Sequence, residues 1–188
     1  TQKGNNNAYA QDNTTSWLDW NLDQEANDLL QFTARISCLR KEHAVFRHLR
    51  FFSGEPTIRG GIKDLAWFTA KGTEMNENDW GSPRALLALL VSGDALQCHD
   101  SEGKNIVDDS FLLFLCASRV AIDVTIPPRE WGEEWTLELD TAVAPEMNPA
   151  NAGKRVLAGD TIQMEGLSFQ VWKRVTPIRG SWRPFQRA

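Results

Sequence analysis

No apolar run in this sequence approaches the roughly 20 residues that a bilayer-spanning helix needs. The longest, ALLALLV at 85–91 and FLLFLCA at 111–117, are strand-sized, and no membrane partner is expected. Cysteine is scarce. Cys38, Cys98 and Cys116 are odd in number, isolated and without a CxxC spacing, which speaks against a disulfide framework and for reduced core thiols in a cytoplasmic protein. Histidine occurs only at 43, 48 and 99, without the i, i+4 pairing of an HExxH helix, so no metal is expected. GxSxG, Walker A and GxGxxG patterns are missing, and Gly60-Gly61 precedes a strand as a plain turn would; neither nucleotide chemistry nor a cofactor is indicated. Basic residues number 20 against 25 acidic ones, in no long block, so nucleic acid is not an expected partner. Also missing are an initiating Met and a basic-then-apolar leader, and the chain reads as a fragment or a processed product.

What is present is tryptophan, eight residues against a single tyrosine, in a chain of 188 residues that is long enough to bury a core. Residues 22–43 space Leu22, Ala26, Leu29, Ile36 and Leu39 at helical intervals. Asp23 and Glu25 stand at the start of that segment and Arg40, Lys41 and His43 at its end, the sense that complements a helix dipole. From about Leu49 the period falls to two. VAIDVTIP sets Val120, Ile122, Val124 and Ile126 against Asp123 and Thr125, WTLELD alternates from Trp135 to Asp140, and LSFQVW places Leu167, Phe169 and Val171 on one face. RALLALLV and SFLLFLCA are apolar on both sides, as central strands are. Turn signals at 92–94, 102–104, 127–128 and 158–160 separate seven or eight strands, so the expected class is mainly β, an antiparallel sandwich. One helix cannot cover its own stripe, and the first 45 residues look like the end of something larger. The last dozen residues, with Pro177, Gly180 and Pro184, read as a loosely held tail.

Acids are plentiful but no two can be paired across a scissile bond from sequence, and Asp108-Asp109 reads as a turn before a strand. The stretch GNNNAYAQDNTTSWLDW at 4–20 offers amides, carboxylates and rings. Such groups grip the hydroxyls and apolar face of a neutral sugar, and they equally build a self-bonded loop. Both readings stay open.

The order of residues in that stretch resembles the bacterial glycogen debranching enzymes of the isoamylase type, in the α-amylase superfamily. The resemblance continues through LRKEHAVFRHLRFFSG at 39–54, KDLAWFTAKGTEMNENDW at 63–80, VDDSFLLFLCAS at 107–118 and WTLELDTA at 135–142. It implies that residues 1–48 are the end of a truncated (β/α)8 barrel, comprising the loop after its last strand and its final helix. Residues 49–174 would then be a C-terminal β-sandwich and residues 175–188 a flexible tail. It further implies a parent enzyme that hydrolyses α-1,6 branch linkages of glycogen or limit dextrin with retention. Branched α-glucan and the upstream barrel are the implied partners. The catalytic acids of such enzymes come from earlier barrel strands, so no catalytic residue is assigned in this chain, and the fragment alone is expected to be inactive. Asn7, Tyr9, Gln11 and Asp12 would line or brace the substrate cleft at the barrel's C-terminal face.

Two positions depart from that pattern: Ala10 stands where the family usually has Cys, and Ala44 where Pro is common. Without that proline the helix is expected to run slightly longer. Two other classes compete with the debranching reading. One is an independent carbohydrate-binding sandwich using Trp67, Trp80, Trp131 and Trp172 as stacking platforms; the other is a scaffold without sugar contact.

Overall fold

The computed structural model describes residues 4–7, 9–48, 50–56, 61–81, 85–96, 98–143 and 153–175. Gly60 and the expected tail from residue 176 onward lie outside these. The chain divides between Ser37 and Cys38 into two compact units.

In the first unit a run of turns leads into α1, Gln24–Glu42, which continues across the division. Asp23 caps the helix: its Oδ1 accepts the Ala26 amide at 2.8 Å, satisfying one of the N–H groups that a helix start leaves unpaired. Glu25 in the first turn and Arg40 and Lys41 in the last match the dipole. The apolar stripe read from the spacing is there, but α1 buries no residue: Leu29 is 64 % exposed, Leu30 49 % and Ile36 38 %.

The second unit is a two-layer antiparallel sandwich. Its strands are β1 Leu65–Phe68, β2 Leu86–Val91, β3 Phe111–Cys116, β4 Ile122–Thr125, β5 Glu134–Asp140, β6 Arg155–Leu157, β7 Thr161–Met164 and β8 Phe169–Arg174. Six form one sheet in the order β1-β2-β3-β8-β5-β6, and β4 pairs with β7 in the other. The core lies between them. Phe68, Leu90, Leu112, Phe114, Trp135, Leu137 and Trp172 from the large sheet meet Val124, Ile126, Ile162 and Met164 from the small-sheet side. The period-two reading holds within β4 and for β5 from Trp135 to Glu138, where Val124, Trp135 and Leu137 are buried; Val120, which precedes β4, is 70 % exposed, and Asp140, expected outside, is buried.

Three local expectations are corrected. In β8 Val171 is buried as the alternation expects, but Gln170, Trp172 and Arg174 on the other side of the strand are buried too, while Phe169 is only half-buried and Leu167 precedes the strand and is exposed. The polar members are tolerated inside because each has a partner: Gln170 Nε2 donates to the buried Asp140 Oδ2 at 2.7 Å, and Arg174 Nη2 to the half-buried Asp94 Oδ2 at 2.5 Å. Second, α1 does not lengthen through Ala44. It ends at Glu42, His43 is extended, and Ala44–Arg47 forms a single 3-10 turn. Third, Asp108 is more than a turn residue, since its carboxylate ties that 3-10 turn to the sandwich: Oδ1 lies 2.9 Å from His43 Nδ1, and Oδ2 accepts the Val45 amide at 3.0 Å.

Candidate functional site

The four residues singled out in the amide-rich loop lie in the first unit. Each is engaged locally. Asn5 Oδ1 accepts the Asn7 amide at 2.9 Å, and Asn7 Oδ1 accepts the Tyr9 amide at 3.1 Å, two successive turns built by Asn side chains. Gln11 Oε1 accepts from Asn13 Nδ2 at 2.8 Å, and Asp12 Oδ1 from the Trp17 indole at 2.7 Å. The chain turns through Ala10 with φ of 57°, a left-handed conformation that a small residue tolerates better than a bulky one. These bonds orient the loop without using it up. Among the described residues these bonds use neither the Asn7 and Gln11 amide nitrogens nor the second Asp12 oxygen, and Tyr9 stands 87 % exposed. The arrangement can offer donors, acceptors and a ring face to a polyhydroxylated ligand.

The tryptophans named as stacking platforms separate into two groups. Trp131 is buried edge-on against Phe68, with ring centroids 5.1 Å apart, and Trp172 is fully buried with its indole donating to Gln170 Oε1 at 3.0 Å. Both are core residues and present no platform to solvent. Trp67 is half-buried and meets Trp80 edge-to-face at 5.5 Å, while Trp80 is 51 % exposed.

Two features of the second unit were not anticipated. His43, Asp108 and Asp109 gather around one point, His43 Nδ1 being 2.9 Å from Asp108 and 4.0 Å from Asp109. The Asp108 carboxylate is already committed, because it also accepts the Val45 and Asp109 amides, and the cluster works as a structural clasp. The other feature is an open groove of about 330 Å³ where β1, β2 and β4 meet, floored by Phe68, Met75, Leu86 and Ile122, with Asp79 and Asp123 in its lining. Its parts come from four separate stretches of chain, which no local sequence pattern could have joined. One carboxyl is held below its ordinary value of 3.8: Asp100, whose oxygen accepts the Lys104 and Glu102 amides, each at 2.9 Å, in the turn at 100–104.

No family profile matches the chain. Over 144 residues, 75 % of its length, it is 44 % identical to a protein named glycogen operon protein GlgX homolog from Mycobacterium bovis, 20 % of which is covered. A glycogen debranching enzyme from Serratia proteamaculans is 27 % identical over 152 residues, covering 80 % of this chain and 19 % of that protein. Among solved structures, pullulanase type I from Bacillus subtilis, complexed with maltose, superposes on 94 % of this chain and 20 % of its own, with a TM-score of 0.56 and 16 % identity. A pullulanase from an Anoxybacillus species, complexed with maltotetraose, gives a TM-score of 0.54 over 93 % of this chain at 13 % identity. The fold is thus one that pullulanases contain. The chain spans about a fifth of the length of the relatives it matches, and over that span it is a homologue of the GlgX-type glycogen debranching proteins.

Proposed function

We propose that this chain is the C-terminal part of a bacterial debranching enzyme that hydrolyses α-1,6-glucosidic branch linkages in glycogen or limit dextrin. Residues 1–48 are the closing loop and last helix of its catalytic barrel, residues 49–174 its C-terminal sandwich and residues 175–188 a tail. The observation that carries this reading is the 44 % identity, over three quarters of the chain, to proteins named for the glycogen operon. The uncovered stripe of α1 supports it. Leu29, Leu30 and Ile36 give the helix an apolar side that its own unit leaves exposed, and a preceding barrel would bury such a face.

In this reading the chain itself is structural and carries none of the catalytic acids. Its contribution to chemistry is the rim: Asn7, Tyr9, Gln11 and Asp12 line or brace the substrate cleft, with the Asx turns fixing the backbone so that a sugar can be gripped without ordering the loop anew. The partners are branched α-glucan and the upstream barrel, not nucleic acid or membrane, and the compartment is the cytoplasm, where the three unpaired thiols stay reduced.

The test is reconstitution. Coexpressed with the upstream barrel of a GlgX-type relative, the chain should form a soluble complex that releases linear chains from glycogen limit dextrin, while the chain alone releases none. A folded, stable complex without that activity would overturn the assignment. In an active complex, Tyr9→Ala and Asp12→Ala are expected to raise KM several-fold, leaving the sandwich intact by circular dichroism.

A further inference from the structure

The groove between β1, β2 and β4 combines an apolar floor with two carboxylates. Phe68, Met75, Leu86 and Ile122 provide the floor, and Asp79, from the 3-10 turn Glu77–Gly81, and Asp123, from β4, provide the charge. One Asp79 oxygen accepts the Asn76 amide at 2.9 Å. Neither carboxylate takes part in an ion pair among the described residues. Glu77, in the same turn, adds a third negative charge nearby. An apolar cleft with a few polar groups converging on it is the usual form of a binding site, and about 330 Å³ lies at the small end of the roughly 300–1,000 Å³ range of such clefts.

The chemistry of the lining selects the occupant. A sugar needs an exposed ring face to lie on, and the groove offers none. Phe68 is only 1 % exposed. Trp80, the exposed indole of the neighbouring turn, rests on Trp67, which alternation along β1 places on the opposite side of the strand from Phe68. The groove matches a flexible hydrocarbon stem that ends in a cation. Met75 is the adaptable wall such a stem packs against, and two carboxylates without an ion pair among the described residues take a planar guanidinium more readily than a neutral hydroxyl.

We propose that this groove is a docking pocket for an arginine side chain presented by a partner polypeptide. The methylene stem lies over Met75 and Ile122, and the guanidinium is shared by Asp79 and Asp123. The attraction between the guanidinium and the two carboxylates makes the encounter dependent on ionic strength.

The experiment uses the whole 188-residue chain with its methionine and isoleucine methyl groups labelled for NMR, so that Met75 and Ile122 report directly on the groove. Three probes are titrated: a short capped peptide with a central arginine, the same peptide with citrulline in its place, and maltoheptaose. Saturable shifts of the Met75 and Ile122 methyls are expected with the arginine peptide only, in the millimolar range and weakening as salt is raised. Asp123→Asn, an exposed change that the fold tolerates, should weaken binding about tenfold while the thermal midpoint stays put. Equal binding of the citrulline peptide would remove the charge argument. No saturable shift with the arginine peptide, undiminished binding to Asp123→Asn, or shifts with maltoheptaose instead would each overturn the proposal.

Discussion

The Asp108 carboxylate stands 2.9 Å from the Nδ1 of His43, a residue 65 positions earlier in the chain, and its second oxygen holds the Val45 amide at 3.0 Å. A single side chain just ahead of β3 therefore holds His43 and the 3-10 turn Ala44–Arg47 to the sandwich. The ring of His43 is at the same time packed edge-on against Phe111, the first residue of β3, at 4.7 Å. Polar and aromatic contacts close the same joint.

Asp108→Ala should accordingly cost about 2 kcal/mol of unfolding free energy, because it strands a partly buried imidazole and a backbone N–H at once. Asp109→Ala, at the more exposed neighbouring carboxylate 4.0 Å from His43, should stay within about 0.5 kcal/mol. Urea denaturation followed by tryptophan fluorescence measures both. Equal effects of the two substitutions would show that the clasp does not depend on Asp108.

The pair Asp94 and Arg174 makes a harsher case. The Arg174 side chain is 4 % exposed and that of Asp94 17 %, and their charged atoms lie 2.5 Å apart across a separation of 80 residues. Asp94→Ala leaves a guanidinium inside the sandwich without its counter-charge and should destabilise by about 3 kcal/mol or more. Arg174→Met, which removes the cation and keeps an unbranched apolar stem, should cost less. A double-mutant cycle read from urea midpoints would expose the coupling, and independent, additive effects would refute it.

The same two residues explain which parts of the fold could be read in the sequence. In β5, Trp135 and Leu137 alternate with Thr136 and Glu138, and period two by itself identifies the buried side. In β8 that rule finds Val171 but misses the other side of the strand, which is buried as well. Gln170 and Arg174 occupy the inner face with Trp172 because Asp140 and Asp94, 30 and 80 residues away, supply acceptors. Period-two patterning assumes that polar means outside, and only long-range pairing reverses it. The amide loop was legible for the opposite reason. Its bonds run from Asn5 to Asn7, Asn7 to Tyr9 and Asn13 to Thr15, each spanning two residues, so the local order of asparagines carries the information. The groove, assembled from separate stretches between Phe68 and Asp123, left no such local trace.

The turn at 100–104 yields a prediction in pH. Asp100 accepts the Lys104 and Glu102 amides, and these bonds favour its ionised form in the folded chain. A folded value below the unfolded one means that the contribution is fully present above about 3.8 and is lost as pH falls through the lower, folded value. An NMR titration of the Asp100 carboxyl carbon should therefore give a midpoint below 3.8, and Asp100→Asn should abolish the pH dependence of the Lys104 amide shift. A midpoint at or above the ordinary value would contradict the turn geometry.

The helix provides the last prediction. Leu29, Leu30 and Ile36 project from α1 with between 38 % and 64 % of their surface exposed, and exposed apolar side chains of this kind drive association when nothing covers them. The chain on its own should self-associate as its concentration rises, by sedimentation velocity, with a midpoint that shifts upward as temperature is lowered toward freezing, where apolar burial weakens. Leu29→Lys together with Ile36→Glu should restore a monomer without lowering the urea midpoint, because neither residue is part of the buried core. Adding the upstream barrel to the unmodified chain should have the same effect on self-association, whereas the charged double variant should fail to pair with that barrel. A chain that stays monomeric at every concentration would mean that the stripe is not sticky. The case for a missing neighbour would then rest on sequence identity alone.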